Sequence, residues 1–310
     1  MFNNTLYGPM DLPVWPDDLI VQALSMYGEW GAVETAVFAH LLPENAVLWD
    51  CGAFLGTFTL GVARHRTLSR ALAIEANPDL APFLQSNLTR LAPCPVTVVS
   101  GGIGAQEGVL RMKPQAAIGN NHGAQAYDFD YPAPDGPETI PCHTFKTLRA
   151  QHGDYTALKL DLEGMEVDAI KGDYGYIKEH QPTIWAECNE DRGSLQILSA
   201  LKSLGYDSVY VAFPAFRKAN HLGNRNIEYP FAHEAALFAA SPDVMGAIDW
   251  QDDVFADAMV CPVATIFDLR KALFDTPRWG ARDWEMLTQI ELVARLTRAL
   301  AGQNLADFLV

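Results

Sequence analysis

Residues 46–58 read Ala46-Val47-Leu48-Trp49-Asp50-Cys51-Gly52-Ala53-Phe54-Leu55-Gly56-Thr57-Phe58. The apolar run Ala46 to Trp49 is too short for a helix and follows the breaker Pro43-Glu44-Asn45, so it reads as a buried strand closed by Asp50. Gly52 and Gly56 bracket a turn into the amphipathic run Thr57 to Arg64, whose spacing fits a helix packed on a sheet. A strand, a glycine turn and a helix in this order are the opening unit of an α/β fold. Glycine in the turn lets backbone approach a ligand, because no Cβ intervenes. Asp50, at the carboxyl end of the strand, faces the crevice where open α/β sheets bind their ligands.

A dinucleotide loop has the pattern GxGxxG, with a glycine against the pyrophosphate. Here the pattern is Asp50-x-Gly52-x-x-x-Gly56. An acid repels a phosphate and attracts an amino group or a sulfonium, so the loop suits a cationic nucleoside such as S-adenosylmethionine. Two glycines at such a junction also serve packing alone. Working outward, Arg70 to Glu75 is a second buried strand ending in an acid, about 20 residues beyond the loop, where a carboxylate accepts both ribose hydroxyls. The alternative is an acid capping the turn Ala76-Asn77-Pro78. A third strand, Pro95 to Ser100, runs into Gly101-Gly102-Ile103-Gly104, small enough for a flat ring to lie against backbone, or a bare turn.

Ala157 to Leu162 is a fourth strand, and Asp161, Glu163 and Glu166 crowd at its end. Like charges are costly together unless a cation offsets them. Glu163 and Glu166 are explained by the N-terminus of a following helix; Asp161 is not. The fifth strand, Gln181 to Glu187, also ends in an acid, with Asn189 and Glu190 beyond. If the two strands are adjacent and parallel, Asp161 and Glu187 project into one pocket. There they serve as base and orienter, or with Asn189 hold a divalent ion such as Mg²⁺. Glu34, in the helical stretch Leu19 to Leu42, is placed to meet a ligand amine or to lie solvated. His122 is a reserve base in the aperiodic loop Pro114 to Pro141. The run Pro214 to Asn226 concentrates cations and amides and reads as an acceptor-binding loop or a polar hairpin. Asp207 to Phe213 and Ala235 to Ala239 complete seven strands.

The domain boundaries expected are an irregular arm over 1–18, a catalytic domain over 19–240 and a helical extension over 241–310. The last, with apolar spacing from Trp284 to Leu309, packs on the core or on a second copy in a homo-oligomer. A formal charge of −16 without a basic cluster argues against a nucleic-acid partner. Five scattered cysteines indicate neither a disulfide framework nor zinc, and no signal peptide or membrane span is visible, so the cytoplasm is the expected compartment.

The series LWDCGAFLGTFTL, AIEANP, GGIG, LKLDLEGME and IWAE resembles, in that order, the FkbM-type methyltransferase family over Leu48 to Glu187. The resemblance implies a Rossmann-like class I sheet, mostly parallel. It implies S-adenosylmethionine as donor and O-methylation of a hydroxyl on a sugar, glycan or secondary metabolite. It places Asp50, Gly52 and Gly56 at the methionine end, with Ala53, Phe54 and Thr57 in the same loop. It puts Glu75 at the ribose with Ala76 and Asn77, Gly101, Gly102 and Ile103 at the adenine edge, and Asp161 near the methyl group. Phe54 stands where the family often has Asn, and Lys146 where it often has an acid. Two rivals are a nicotinamide oxidoreductase, disfavoured by Asp50 and the missing GxGxxG, and a non-catalytic scaffold of the same fold.

Overall fold

The computed structural model describes residues 2–112, 127–129, 139–190, 192–230, 232–276, 288 and 290–291. Its centre is a sheet of eight strands. In chain order these are β1 Ala46–Cys51, β2 Leu68–Glu75, β3 Val96–Ser100, β4 Ala157–Leu160, β5 Thr183–Glu187, β6 Asp207–Pro214, β7 His233–Ala240 and β8 Met259–Pro262. The spatial order is 8-6-7-5-4-1-2-3. Strands β3, β2, β1, β4 and β5 pair in parallel, while β7 enters antiparallel beside β5 and turns the chain back onto β6.

The apolar runs of β1 and β4 are buried on both faces, as parallel strands covered by helices must be. Alternate side chains enter opposite layers. Trp49, Leu158 and Ile184 belong to the core with Phe145, Tyr155 and Leu198; Leu48, Ala157 and Trp185 belong to the core with Phe38, Phe58 and Phe238. The second layer includes α2 (Ala32–Leu41) and α3 (Thr57–His65). Leu160 lies opposite Cys51 and Ala186, so the ends of β1, β4 and β5 share one rim. The strand order reverses between β1 and β4, which is where such sheets open a binding crevice.

Three regions differ from the sequence expectation. The N-terminal arm is partly regular: Asn3–Thr5 and Gly8–Met10 form a hairpin, with Gly8 at φ +110°. Apolar Tyr7 and Met10 are buried there, and Asp11 exchanges backbone bonds of 2.7 and 3.0 Å with the Asn87 amide. The loop expected from Pro114 to Pro141 gives its last residues to Thr139–His143, a strand of a small sheet with Gly102–Ile103, Gly108–Met112 and Tyr127–Asp128. His122 lies outside the described residues.

The segment after residue 240 is not helical throughout. Its Met259–Pro262 run pairs antiparallel with β6, making an eighth strand and covering the backbone groups of that edge. Four residues are too few to show a period against the helix that follows, Ile266–Asp275, capped by Thr265 and Asp268. The expected helix Trp284 to Leu309 lies almost wholly outside the described residues. Among the described residues no helix is long and apolar enough to cross a membrane.

Candidate active site

A cavity of about 1200 Å³, counting its open mouth, lies over the carboxyl rim at the β1–β4 switch point. Its β1–β3 side is built largely from backbone. Gly52 has φ +85°, and a Cβ there would stand 2.0 Å from the Asp161 carbonyl oxygen, so the close approach of the β1 and β4 loops requires glycine. Phe54, at φ +49°, donates its N–H to Glu75 Oε2 at 2.7 Å, and Asn77 donates its N–H to Oε1 at 2.7 Å. The Glu75 carboxylate is thus clamped by two backbone donors at the cavity wall. Burial raises it to about 7, against the pull of those two donors. Ile103, Leu110, Tyr127 and Met165 form an apolar slot beside Gly101 and Gly102.

The β4–β7 side is built from charged side chains. Lys159 enters from the middle of β4, and its ammonium donates to the Gly52 carbonyl at 2.7 Å and to Asp161 Oδ2 at 2.9 Å, 3.7 Å from Asp50 Oδ1. Burial by itself would lower Lys159, but Asp161, Asp50 and Glu34 outweigh it and hold the ammonium above its usual range. Glu34 accepts from the Trp185 indole at 2.8 Å and is raised by burial to about 7. Burial, together with Asp161, Glu163 and Glu234, pushes Glu187 well above the ordinary glutamate value. One oxygen each from Asp161, Glu163 and Glu187 lies within 4.8 Å of the others.

The family model of the methyltransferase FkbM domain matches residues 50–208, about half of the chain and the part that carries these groups. The chain belongs to the FkbM methyltransferase family. It is an S-adenosylmethionine-dependent methyltransferase, with the donor implied by the family. No curated protein matches the chain. Among solved structures it is similar to the methyltransferase FkbM from Methylobacillus flagellatus KT, at 20% identity and a TM-score of 0.42, over 72% of this chain and 55% of that one. It thus spans just over half of that protein. It is also similar to an O-methyltransferase from Bacillus cereus in complex with SAH, at 10% identity and a TM-score of 0.40, over 68% and 80%. A third is the precorrin-6y C5,15-methyltransferase from Geobacter metallireducens GS-15, at 15% identity and a TM-score of 0.39, over 67% and 87%.

In this FkbM methyltransferase the rim brings together most of the expected residues. Glu34, Gly52, Phe54, Glu75, Ala76, Gly101, Gly102, Ile103, Asp161 and Glu187 all line the cavity. Ala53, Gly56, Thr57 and Asn77 stand behind it and shape the loops: Gly56 donates its N–H to the Ala53 carbonyl at 2.8 Å and starts α3 at φ +88°. Asp50 is corrected. It is fully buried, and its Oδ2 accepts from the Thr59 hydroxyl at 2.7 Å and the Thr59 N–H at 3.2 Å, so it caps α3 and counters Lys159 from beneath the cavity wall. Asn189 does not line the cavity; its carbonyl accepts from the Ser194 hydroxyl at 2.7 Å.

The expected acceptor loop is also corrected. Arg217 grips the buried Glu29 with two bonds of 2.6 Å, and the His221 N–H adds a third at 2.8 Å. The Asn220 amide bonds the Arg217 and Asn224 carbonyls, so this run ties the chain to the segment ahead of α2. It holds Trp30, a cavity residue, against Phe216 at 5.7 Å. Lys159 and Glu234 escaped the sequence reading. A lysine inside the apolar run Ala157-Leu158-Lys159-Leu160 was the available signal, since a buried ammonium requires counter-charges nearby.

Proposed function

We propose that the enzyme methylates a hydroxyl of a sugar, glycan or secondary metabolite. The observation that carries this reading is the Glu75 carboxylate, fixed by two backbone donors at one end of a cavity whose other end gathers Asp161 and Glu187. Each Glu75 oxygen keeps a lone pair for a ribose hydroxyl. Ile103, Leu110, Tyr127 and Met165 suit an adenine, and Asp161 with the Gly52 backbone suits the methionine ammonium. The acid-rich rim fits a donor that carries a sulfonium.

S-adenosylmethionine supplies an electrophilic methyl group when bound. The acceptor oxygen forms the new O–CH₃ bond as the S–CH₃ bond breaks, and that electron pair passes to sulfur. The hydroxyl proton goes to Glu187, whose raised affinity for a proton suits a general base near neutral pH. The walls hold the oxygen in line, which is where much of the acceleration arises. The hydroxyl-acceptor class follows from this base: a hydroxyl must lose its proton.

The test is transfer of labelled methyl to a hydroxyl panel, together with calorimetry using S-adenosylhomocysteine. Glu187→Gln is expected to lower kcat by about 100-fold while the cofactor product still binds. Full activity in that variant would remove Glu187 from the chemistry, and a wild-type chain unable to bind S-adenosylhomocysteine would remove the whole assignment. The same carboxylates are hard ligands of the kind Mg²⁺ takes. Activity that persists in EDTA supports the base, whereas strict dependence on added Mg²⁺ favours a metal. The five cysteines are unpaired, which fits a reducing, cytoplasmic setting.

A further inference from the structure

The nature of the acceptor follows from the half of the cavity that the donor does not need, and this inference rests on the methyl-transfer reading above. Beyond Asp161 the walls are Trp30, Trp185 and Phe213, with the carboxylates of Glu34, Glu187 and Glu234. Trp185 and Phe213 stack at 6.2 Å. Lys159 is the one cation among the described residues lining the cavity, and its bonds to the Gly52 carbonyl and Asp161 leave it engaged. An anion entering this half would meet several carboxylates and no available counter-charge.

Two further observations separate a cation from a neutral polyol. First, the acids are short of partners. Glu34 accepts its bond from Trp185 through Oε1, and among the described residues the Glu187 carboxylate has no hydrogen-bond or ion-pair partner. The strain is visible in Glu34, held at about 7 by burial, and in Glu187, held higher than usual by burial and its acidic neighbours. A cation relieves that repulsion, and a hydroxyl does not. Second, the faces opposite the acids are aromatic. Indole and phenyl faces attract an ammonium and also pack on the C–H face of a ring.

We propose that the methyl acceptor carries a protonated amine close to the hydroxyl that is methylated, as in an amino sugar or an amino alcohol. Glu34 and Glu234 receive the amine between the aromatic walls, and the hydroxyl is left facing Glu187. Glu34 thereby meets a ligand amine, but that of the acceptor. The same arrangement rejects phosphorylated and carboxylated acceptors.

The experiment uses the full chain saturated with S-adenosylhomocysteine. Thermal unfolding and transfer of labelled methyl from S-adenosylmethionine are followed with matched compounds: hexosamines and 1,2-amino alcohols, their N-acetyl derivatives, the parent sugars, and sugar phosphates. Free amines are expected to stabilise the complex and accept methyl, with the N-acetyl and neutral counterparts weaker by about ten-fold or more, equivalent to about 1.4 kcal/mol. Glu34→Gln combined with Glu234→Gln is expected to erase that preference while the S-adenosylhomocysteine complex still forms. Glutamine at 34 keeps an acceptor for the Trp185 indole, so folding is preserved. The proposal is overturned if neutral or phosphorylated compounds bind as well as the amines, if no amine stabilises the complex, or if the double variant keeps the preference. Failure to bind S-adenosylhomocysteine would instead strike the reading on which this one rests.

Discussion

The two sides of the β1–β4 switch point solve the same problem by different means. On the β1–β3 side the cavity wall is a short span of chain, Gly52 to Ile103, and its polar groups are set by backbone: two N–H groups aim Glu75, and Gly52 clears the path for the Asp161 carbonyl. On the β4–β7 side the wall is collected from Glu34, Lys159, Asp161, Glu187 and Glu234, on five separate elements, and is held by charge. Backbone geometry tolerates little change and suits a fixed ligand. Side-chain charge is easily edited and suits a variable one. A conserved donor and a specific acceptor divide along that line.

The largest effect is expected where the two sides are bolted together. Lys159→Met leaves the fully buried Asp50 without its counter-charge and should cost about 3 kcal/mol or more in chemical denaturation. Stability near wild type would mean that Asp50 is neutral and that the bridge is not electrostatic. Gly52→Ala should come next, at about 2 to 3 kcal/mol with loss of S-adenosylhomocysteine binding, because the new Cβ meets a backbone oxygen at 2.0 Å. Calorimetry alongside thermal unfolding separates the two losses.

Arg217→Ala probes the acceptor side from behind. It strips both 2.6 Å bonds from the buried Glu29, and because Arg217 itself is partly exposed the expected cost is about 2 kcal/mol, with acceptor KM rising more than donor KM. Equal changes in both would place the segment ahead of α2 on the donor side. Glu75→Gln should weaken S-adenosylhomocysteine by about ten-fold or more with little loss of fold, since an amide can accept from only one of the two backbone donors.

The smallest effect is in the pH dependence of the ligand-free protein. Burial raises Glu34 and Glu75 from 4.5 to about 7 in the folded chain, so folding favours their protonated forms. Their contribution is fully present below the unfolded value and is lost as pH climbs through about 7, so stability should decline across that window. Glu34→Gln should flatten part of the decline. An unchanged slope would show that Glu34 is solvated and already ionised.

The glycine loop, the acid about 20 residues on and the Gly101-Gly102 turn were legible because each is a local rule about backbone, written in a few consecutive residues. The strand-end acids Asp161 and Glu187 were legible as types, and parallel pairing of β4 with β5 made them neighbours. The direction of Asp50 was not, because the same strand-end position serves a ligand or a helix cap, and Thr59 decides between them. The Pro214 to Asn226 loop misled for a related reason: cations and amides look like a binding surface until Glu29, nearly two hundred residues away in sequence, is seen to occupy Arg217.

By itself, then, the sequence determined the α/β order, the donor loop and the family, since apolar period, glycine placement and strand-end acids are properties of neighbouring residues. Only the tertiary structure decided that Met259–Pro262 adds an edge strand, that Lys159 ties Asp50 to Asp161, and that Glu34 and Glu234 close the acceptor half. Those outcomes depend on which distant charge finds which partner, and Coulomb attraction and burial act through space, where separation along the chain carries no weight.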